Sequence, residues 1–506
     1  MSNLFNNKAF AIKATPARIR TERVRGKPKP VPILPKPKAS TTLKEENLPP
    51  KCTARNLQTY SKAKLSSVKS SKYECTHDKS KRKLPLRRTP APQHPLSSDS
   101  SDAEDVPDLK TPACTRQKMI KYANKKRKLN LGDAFSVNQS ESLEIIHAAD
   151  ITSVDKRPKM DRNDFPAVVM VQVQYPSASQ LERYVLMPGD NFNPVQEIIN
   201  VITNVLELYF SEEQKIPLKG PDNGIIRKLT KAYNLHTKGS SDNNFLNDFK
   251  EAVEAYNTSL QRLLKDGSIG RRLDSTQILH LDMVECILQQ VYARTVSPKV
   301  NILKQYENGT DNIYGELLPP FISRILAEAS LTCEDVFVDL GSGVGNVVLQ
   351  AALEFGCESW GCEMMLNACT LAEAQSKEFN ARCRLWGIKS GRVNLECGDF
   401  LENPRILAAM KRADVILVNN QAFTPELNQK LKDLFLDFKN GCRIISLKPF
   451  VSTGHQISSR NLWDPANLLD VTKGEYHSGS VSWTDTSGTY YIARKDEKRL
   501  HNICEI

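Results

Sequence analysis

The sequence predicts an α/β protein: a doubly wound, mostly parallel sheet, preceded by a mainly helical region and a long basic arm without a core. Three observations carry this. Strands and helices alternate from about residue 314 onward, the pattern of a parallel sheet with helices on both faces. A glycine-rich turn, Gly341-Ser342-Gly343-Val344-Gly345, joins one of those strands to the next helix, which is where an open α/β sheet binds its ligand. Finally, the charge is divided. Residues 1–165 hold 35 Lys/Arg against 17 Asp/Glu and 15 of the 28 prolines, whereas residues 166–506 hold 35 against 41. The overall net charge of +12 therefore belongs to one arm, and such asymmetry points to an anionic polymer as its partner.

The arm, residues 1–165, shows no sustained apolar periodicity. Runs such as Lys27-Pro28-Lys29-Pro30-Val31-Pro32 keep the chain extended, and a segment burying so little is expected to be disordered. Its Arg-rich, acid-poor start resembles a mitochondrial transit peptide, but the basic character continues for nearly a hundred residues, further than such a peptide needs. Three basic clusters, Lys79 to Lys83, Arg87-Arg88 and Lys125 to Lys128, suit nuclear import or phosphate contact; solvated charge without a receptor is the bland alternative, and three clusters in one arm count against it. Arg23-Val24-Arg25-Gly26-Lys27-Pro28 resembles an AT-hook, which lies in a narrow minor groove, with Lys27 where a second arginine belongs. A generic basic linker fits it better.

Residues 166–310 are expected to form a mixed, mainly helical accessory domain. Ala167 to Val173 reads as a strand from its β-branched content. Asn193 to Phe210 carries apolar residues at helical spacing, and further helices are expected at 244–264 and 276–292. Residues 311–506 then form the ligand-binding domain. Strands are expected at 336–340, 359–363, 393–397, 415–419 and 442–447, with helices at 347–355, 365–386 and 426–438 between them. A terminal hairpin from 479–483 and 488–494 would add an antiparallel edge. Twelve cysteines without a C-x-x-C pair read as reduced, mostly structural thiols of an intracellular protein, with no metal site expected. No apolar run is long enough to span a bilayer, so no membrane is expected as a partner.

The chemistry centres on Val338-Asp339-Leu340-Gly341-Ser342-Gly343-Val344-Gly345-Asn346. The glycines allow close backbone approach and φ > 0, and the helix N-terminus presents unpaired N–H groups to an anion. A dinucleotide site would read G-x-G-x-x-G. Here the pattern is G-x-G-x-G after an acid, and that acid would repel a pyrophosphate but attract a cation. S-adenosyl-L-methionine carries a sulfonium and an ammonium, so Asp339 favours it over a nicotinamide cofactor. Glu363, 22 residues after Gly341, ends the second strand where a carboxylate can accept both ribose hydroxyls. Asp399 and Phe400 would supply an acceptor for the adenine amino group and a ring to stack on, although Asp399 alone reads equally well as a helix N-cap.

With Asn419-Asn420-Gln421-Ala422-Phe423, Tyr314-Gly315-Glu316, Ser446-Leu447-Lys448-Pro449, Val481-Ser482-Trp483 and Tyr490-Tyr491, this loop resembles the disruptor-of-telomeric-silencing family over about 300–494. These are histone H3 lysine methyltransferases without a SET domain. The resemblance implies a Rossmann-like S-adenosylmethionine-dependent methyltransferase domain acting in chromatin regulation and telomeric silencing. It implies a cofactor site formed by Tyr314, Gly315, Glu316, Leu317, Phe337, Val338, Asp339, Leu340, Gly341, Ser342, Gly343, Val344, Gly345, Asn346, Glu363, Asp399 and Phe400. It places Asn419, Phe423, Trp483 and Tyr490 in the channel for the target lysine. Gln421 stands where the family has Phe; two residues from Phe423 on an extended turn, it would face the same channel. The implied partner is the nucleosome, with H3 as substrate and DNA held by arm residues 1–98, in the nucleus; oligomeric state is open.

Such a channel has a physical purpose. A lysine ammonium with pKa near 10.4 must lose a proton before attack, costing roughly 4–5 kcal/mol at neutral pH, and an apolar aromatic tube lowers that cost. A sulfonium is already an activated methyl donor, so placement is the remaining need. Two rivals remain. Another nuclear protein or a nucleic acid could be the methyl acceptor, although the Asn419 turn lacks the prolines of base methyltransferases. A catalytically dead chromatin scaffold is the other, against which the intact acids and glycines argue.

Overall fold

A computed structural model describes residues 126–135, 144–152, 169–177, 181–186, 192–220, 224–237, 244–304 and 315–499, all within one compact unit. The expectations for residues 1–98, for the AT-hook-like run, for the start of the first strand at Ala167 and for Tyr314 lie outside the described residues.

Among the described residues the main sheet has seven strands, β3 (Val336–Leu340), β4 (Glu358–Glu363), β5 (Val393–Cys397), β6 (Val415–Val418), β7 (Arg443–Ser446), β8 (Leu469–Tyr476) and β9 (Gly488–Lys495). Their order across the sheet is β5-β4-β3-β6-β7-β9-β8. Strands β3 to β7 run parallel; β9 is antiparallel to both β7 and β8. The central strand β6, Val-Ile-Leu-Val, is buried throughout, as a parallel strand covered on both faces must be. One apolar cluster fills each face. Phe321, Ile325, Phe337, Ala351 and Leu417 lie on one side, and Val338, Leu340, Ile406, Ile416 and Phe435 on the other. The sheet order changes direction at β3, between β4 and β6, so the crevice at the carboxyl ends of these strands is the ligand-binding position of such folds.

The terminal hairpin differs from the expected one. The partner of β9 is Leu469–Tyr476, whereas Val481 bridges to Leu317. Tyr476, Val481 and Trp483 all join one apolar cluster, so the β-branched and aromatic residues at 481–483 mark packing against residues 315–318, not a sheet strand.

Upstream, β1 (Met170–Val173) and β2 (Glu182–Val185) form a small antiparallel pair, followed by helices at 194–209, 212–219, 225–237, 244–265, 268–274 and 281–295. The helix Pro194–Tyr209 starts where sequence signals place it: Asn193 caps it by accepting from Gln196 N at 3.1 Å, with Pro194 in the first turn. Its Ile198, Ile199, Ile202, Val205 and Leu206 are buried in a cluster that also takes in Leu349, Leu353, Phe379 and Trp386 from beside the main sheet. The helical region thus shares its core with the sheet domain. A buried ionic network reinforces the join. Glu182 accepts from Arg294 at 2.7 Å and from Arg382 at 2.8 Å, and against the opposing effect of burial these guanidiniums hold its carboxyl far below the ordinary range.

A boundary at residue 165 misplaces two upstream segments. Leu129 and Ala148 are fully buried in the same cluster. Leu129 stands alone in a basic run, and Ala148 lies in a helix of only four residues, Ala148–Ile151, so neither shows a period, which is why the sequence hid them.

Candidate active site

The glycine loop leaves β3 at Leu340, and Gly341, Gly343 and Gly345 take φ of 81°, 55° and 90°, left-handed values that disfavour any side chain. Gly341 and Ser342 N–H both donate to Cys362 O, at 2.9 and 3.0 Å, tying the loop to the end of β4. A Cβ on Gly345 would lie 3.0 Å from Leu395, so that residue must also be small. The helix Asn346–Gln350 follows, continuing as a π-helical turn over Ala351–Phe355.

Four loops bring polar groups to this crevice. Asp339, at the end of β3, is 3% exposed, and its carboxylate has no hydrogen-bond partner among the described residues. Burial pushes its pKa up to about 8, and the charge of Glu363 adds to the rise. Glu363 is held by Gly343 N–H on Oε2 and Met365 N–H on Oε1, both at 2.8 Å. Two bonds fix its orientation and leave acceptor capacity on both oxygens. Asp399 follows β5; Leu401 N–H donates to its Oδ1 at 2.8 Å. It therefore closes a side-chain turn, while Asn403 caps the next helix. Phe400 is nearly buried behind it.

Asn419 follows β6. Its Nδ2 donates to Gly315 O at 3.3 Å, while Oδ1 is buried and has no partner among the described residues. Buried polar atoms are rarely left so. A cationic or hydroxyl-bearing ligand suits the set: an unpaired buried carboxylate, an orphaned amide oxygen and a pre-oriented carboxylate. The residues present fit S-adenosylmethionine, which carries both positive charge and hydroxyls.

Residues distant in sequence meet at the same end. Leu318 N–H donates to Ser480 O, Ser482 N–H to Glu316 O, and Glu316 N–H to the Ser482 hydroxyl, at 2.8–2.9 Å. This pairing lays Trp483 over Gly315, where a Cβ would stand 2.7 Å from the indole. Glu316 takes the amide of Asn346 at 3.0 Å, joining the segment to the glycine loop. Phe423 comes within 3.6 Å of a Cβ placed on Gly341 and stacks on Phe400, ring centroids 6.3 Å apart.

Several expected residues are present in other capacities. The side chains of Leu317, Phe337, Val338, Leu340 and Val344 are buried in the apolar clusters, so only their backbone reaches the crevice. Tyr490 is 4% exposed, packs edge-on against Phe321 and donates its hydroxyl to Glu328, so its side chain belongs to the core. Gln421 and Phe423 sit on a tight turn, not an extended one, so they part company: Gln421 is exposed and Phe423 turns inward. Ser342 is buried against the place a Cβ on Gly361 would take.

Sequence reasoning missed Asn420, which is 1% exposed. Its amide donates to Asn428 and Lys448 O, and its oxygen accepts Leu447 and Lys448 N–H at 3.1 and 2.8 Å. It also missed Gln375, which donates to Val344 O at 2.7 Å and Asn346 at 3.0 Å. Asn420 had a signal, as the second half of an Asn-Asn pair after a strand. Gln375 had only its place on the apolar side of a long helix.

Comparison with known proteins agrees with this geometry. The family described as histone methylation protein DOT1 matches residues 292–494. A histone-lysine N-methyltransferase, H3 lysine-79 specific, from Aspergillus fumigatus is 50% identical over 84% of this chain and 84% of its own. Proteins of the same description from Emericella nidulans and Gibberella zeae are 49% and 44% identical, over 84% and 82% of this chain and 85% and 84% of theirs. Among solved structures, an RNA methyltransferase from Salinibacter ruber in complex with S-adenosyl-L-homocysteine covers 36% of this chain and 94% of its own, at 22% identity and a TM-score of 0.25; the fold assignment rests on the sheet order instead. With a glycine loop, acids and aromatic wall in one crevice, and half-identical relatives along most of its length, this chain belongs to the DOT1 family of histone methylation proteins.

Proposed function

We propose that this protein transfers methyl groups from S-adenosylmethionine to Lys79 of histone H3 within nucleosomes. The observation that carries the reading is the crevice itself: a buried Asp339 carboxylate and a buried Asn419 oxygen, each without a partner among the described residues, at the ends of adjacent strands beside the glycine loop. The sulfonium supplies a methyl group already activated for displacement. The chain's own residues bind, orient and exclude water.

Asp339 would pair with positive charge on the cofactor, and Glu363, fixed by two backbone N–H groups, would receive the ribose hydroxyls. Phe400 would hold the adenine, and Asp399 would accept from its amino group. Phe423, between Gly341 and Phe400, serves both sites, closing the cofactor crevice on one side and the lysine channel on the other. Trp483 forms the opposite wall. The Asn419 Oδ1 accepts from the target amine and aligns its lone pair. These apolar walls disfavour the charged ammonium and so ease its deprotonation. Gln421, exposed at the rim, bears on how many methyl groups are added.

The arm belongs to the same proposal. Residues 1–98, with 23 Lys/Arg against 5 Asp/Glu, track nucleosomal DNA phosphates in the nucleus. A face lysine needs docking onto the whole particle, which gives the arm a purpose. The test is transfer of radiolabelled methyl groups to nucleosomes, free histones and naked DNA. Label should appear on H3, and chiefly in nucleosomes; label confined to DNA overturns the reading.

A further inference from the structure

Arg127 lies in the run Lys125 to Lys128, whose plain reading is an import or phosphate-binding cluster. The structure puts it elsewhere. It is 5% exposed, and its two terminal nitrogens donate to the carbonyl oxygens of Leu353 and Glu354. Those are among the last carbonyls of the helical segment that begins at Asn346, directly after Gly345. Helix ends leave such carbonyls without partners and concentrate partial negative charge there, and a guanidinium satisfies both needs.

The two terminal nitrogens are paired, while the buried Nε has no partner among the described residues. Gly356 ends the segment with φ 78°, and a Cβ there would lie 3.0 Å from Arg127 Nε. The Glu354 carboxylate takes its hydrogen bonds from Ser323 and Gln350, so the guanidinium bonds to its backbone and not to its carboxylate. The flanking chain is pinned too. Lys389 N–H donates to Leu129 O at 2.8 Å and Leu131 N–H to Gly387 O at 3.0 Å. Asn130 Nδ2 reaches Asp274 at 2.8 Å, and Lys126 pairs with Glu334 at the surface, at 2.9 Å.

We propose that Arg127 is a positioning residue for cofactor binding, because it caps the far end of the short helix whose near end is the glycine loop. The segment is only ten residues from Asn346 to Phe355, about 15 Å of helix. Its second half is π-helical, a form that is rare and occurs mostly as single turns, frequently at functional sites. Without the cap, two buried carbonyls lose their partners and the segment shifts to find others. The loop moves with it, taking Gly343 N–H off Glu363 and Ser342 off the end of β4. A second consequence follows for the basic cluster: in the folded protein Arg127 is not open to an import receptor or a phosphate.

This rests on the glycine loop being the cofactor site, and the full-length wild type tests that part separately by whether it binds S-adenosylmethionine at all. Calorimetric titration and steady-state methylation of nucleosomes then compare Arg127→Ala, Arg127→Lys and Lys126→Ala. Arg127→Ala should raise both the Kd and the KM for S-adenosylmethionine at least fivefold, with kcat at saturating cofactor within threefold of wild type. Lys126→Ala, which loses only an exposed ion pair, should leave both constants unchanged. Arg127→Lys, reaching one carbonyl, should fall between. A wild type that binds with an Arg127→Ala variant less than fivefold weaker overturns the proposal, even if that variant melts earlier. Should Arg127→Ala not fold, Arg127→Lys decides: a Kd raised threefold or more supports the role, and a smaller change overturns it.

Discussion

Replacing Asp339 by Asn should move stability and cofactor affinity in opposite directions. Burial, with Glu363 adding to it, lifts the Asp339 carboxyl from an ordinary 3.8 to about 8 in the folded protein. Between those values the folded chain binds a proton that the unfolded chain has released. The contribution of this group to stability is therefore complete below about pH 4 and lost as pH climbs to 8, a span worth on the order of 5 kcal/mol. An amide has no charge to bury and leaves only a neutral polar group, costing about 1–3 kcal/mol. In the absence of cofactor, Asp339→Asn should thus gain on wild type by roughly 3–4 kcal/mol between pH 5 and pH 8. Losing the charged partner should meanwhile weaken S-adenosylmethionine by about 1.5–3 kcal/mol, a factor of roughly ten to a hundred and fifty. Urea unfolding of both proteins at pH 5, 6, 7 and 8, followed by calorimetric titration at pH 7, measures both. Unfolding free energies that run parallel with pH, or a variant binding cofactor as tightly as wild type, would refute the account of Asp339 as a buried acid held for a cation.

The turn after β6 provides further predictions, for Phe423, Gln421 and Asn420. Phe423→Ala should cost at least roughly tenfold in single-turnover rate, about 1.4 kcal/mol of barrier, and should also raise the cofactor Kd, since the ring touches the glycine loop. Gln421→Ala should be mild, and Gln421→Phe should stay active with a changed balance of mono-, di- and trimethylated product; a dead Gln421→Ala beside a normal Phe423→Ala would reverse the assignment. Asn420→Ala removes the buried amide that ties this turn to Leu447 and Lys448, so it should lower unfolding free energy by about 3 kcal/mol and slow turnover by displacing Asn419. A change under 1 kcal/mol in urea melts would show that the turn is held by other means. Deleting residues 1–98 should leave cofactor affinity intact while weakening nucleosome binding and flattening its dependence on salt; an unchanged salt slope would remove the electrostatic role from the arm.

The two central parallel strands were legible because Val336–Leu340 and Val415–Val418 are short, mostly apolar runs between turn signals, whereas Val393–Cys397 was legible from its alternation of apolar and polar residues. The edge strand β8 was not. Asp470, Thr472, Lys473 and Glu475 are polar and Gly474 interrupts them, because this strand is half exposed and the ring of Tyr490 lies across Gly474. Its packing is supplied by a neighbour, so its own sequence shows little. The site divides in the same way. Asp339, Glu363 and the glycines stand at strand ends, where position alone gives them meaning. Arg127, Asn420 and Gln375 act through backbone carbonyls and amides far along the chain, and a polar residue that is buried looks in sequence like one that is solvated. Gln421 and Phe423 show a third limit: residues two apart share a face only while the backbone stays extended, and a tight turn sends one out and the other in.

The central claim is that the crevice methylates one lysine on the face of the nucleosome. Its most direct test is mass spectrometry of reconstituted nucleosomes after reaction with S-adenosylmethionine, using wild-type H3 and H3 with Lys79 replaced by Arg, and a Gly343→Arg enzyme as control. Gly343 has φ 55° on the loop, and an arginine there would fill the space next to Glu363. The account predicts methylated Lys79 on wild-type H3 with the native enzyme alone, and no product on the Lys79→Arg particle. Equal methylation of the Lys79→Arg nucleosome, or full activity of the Gly343→Arg enzyme, would contradict it.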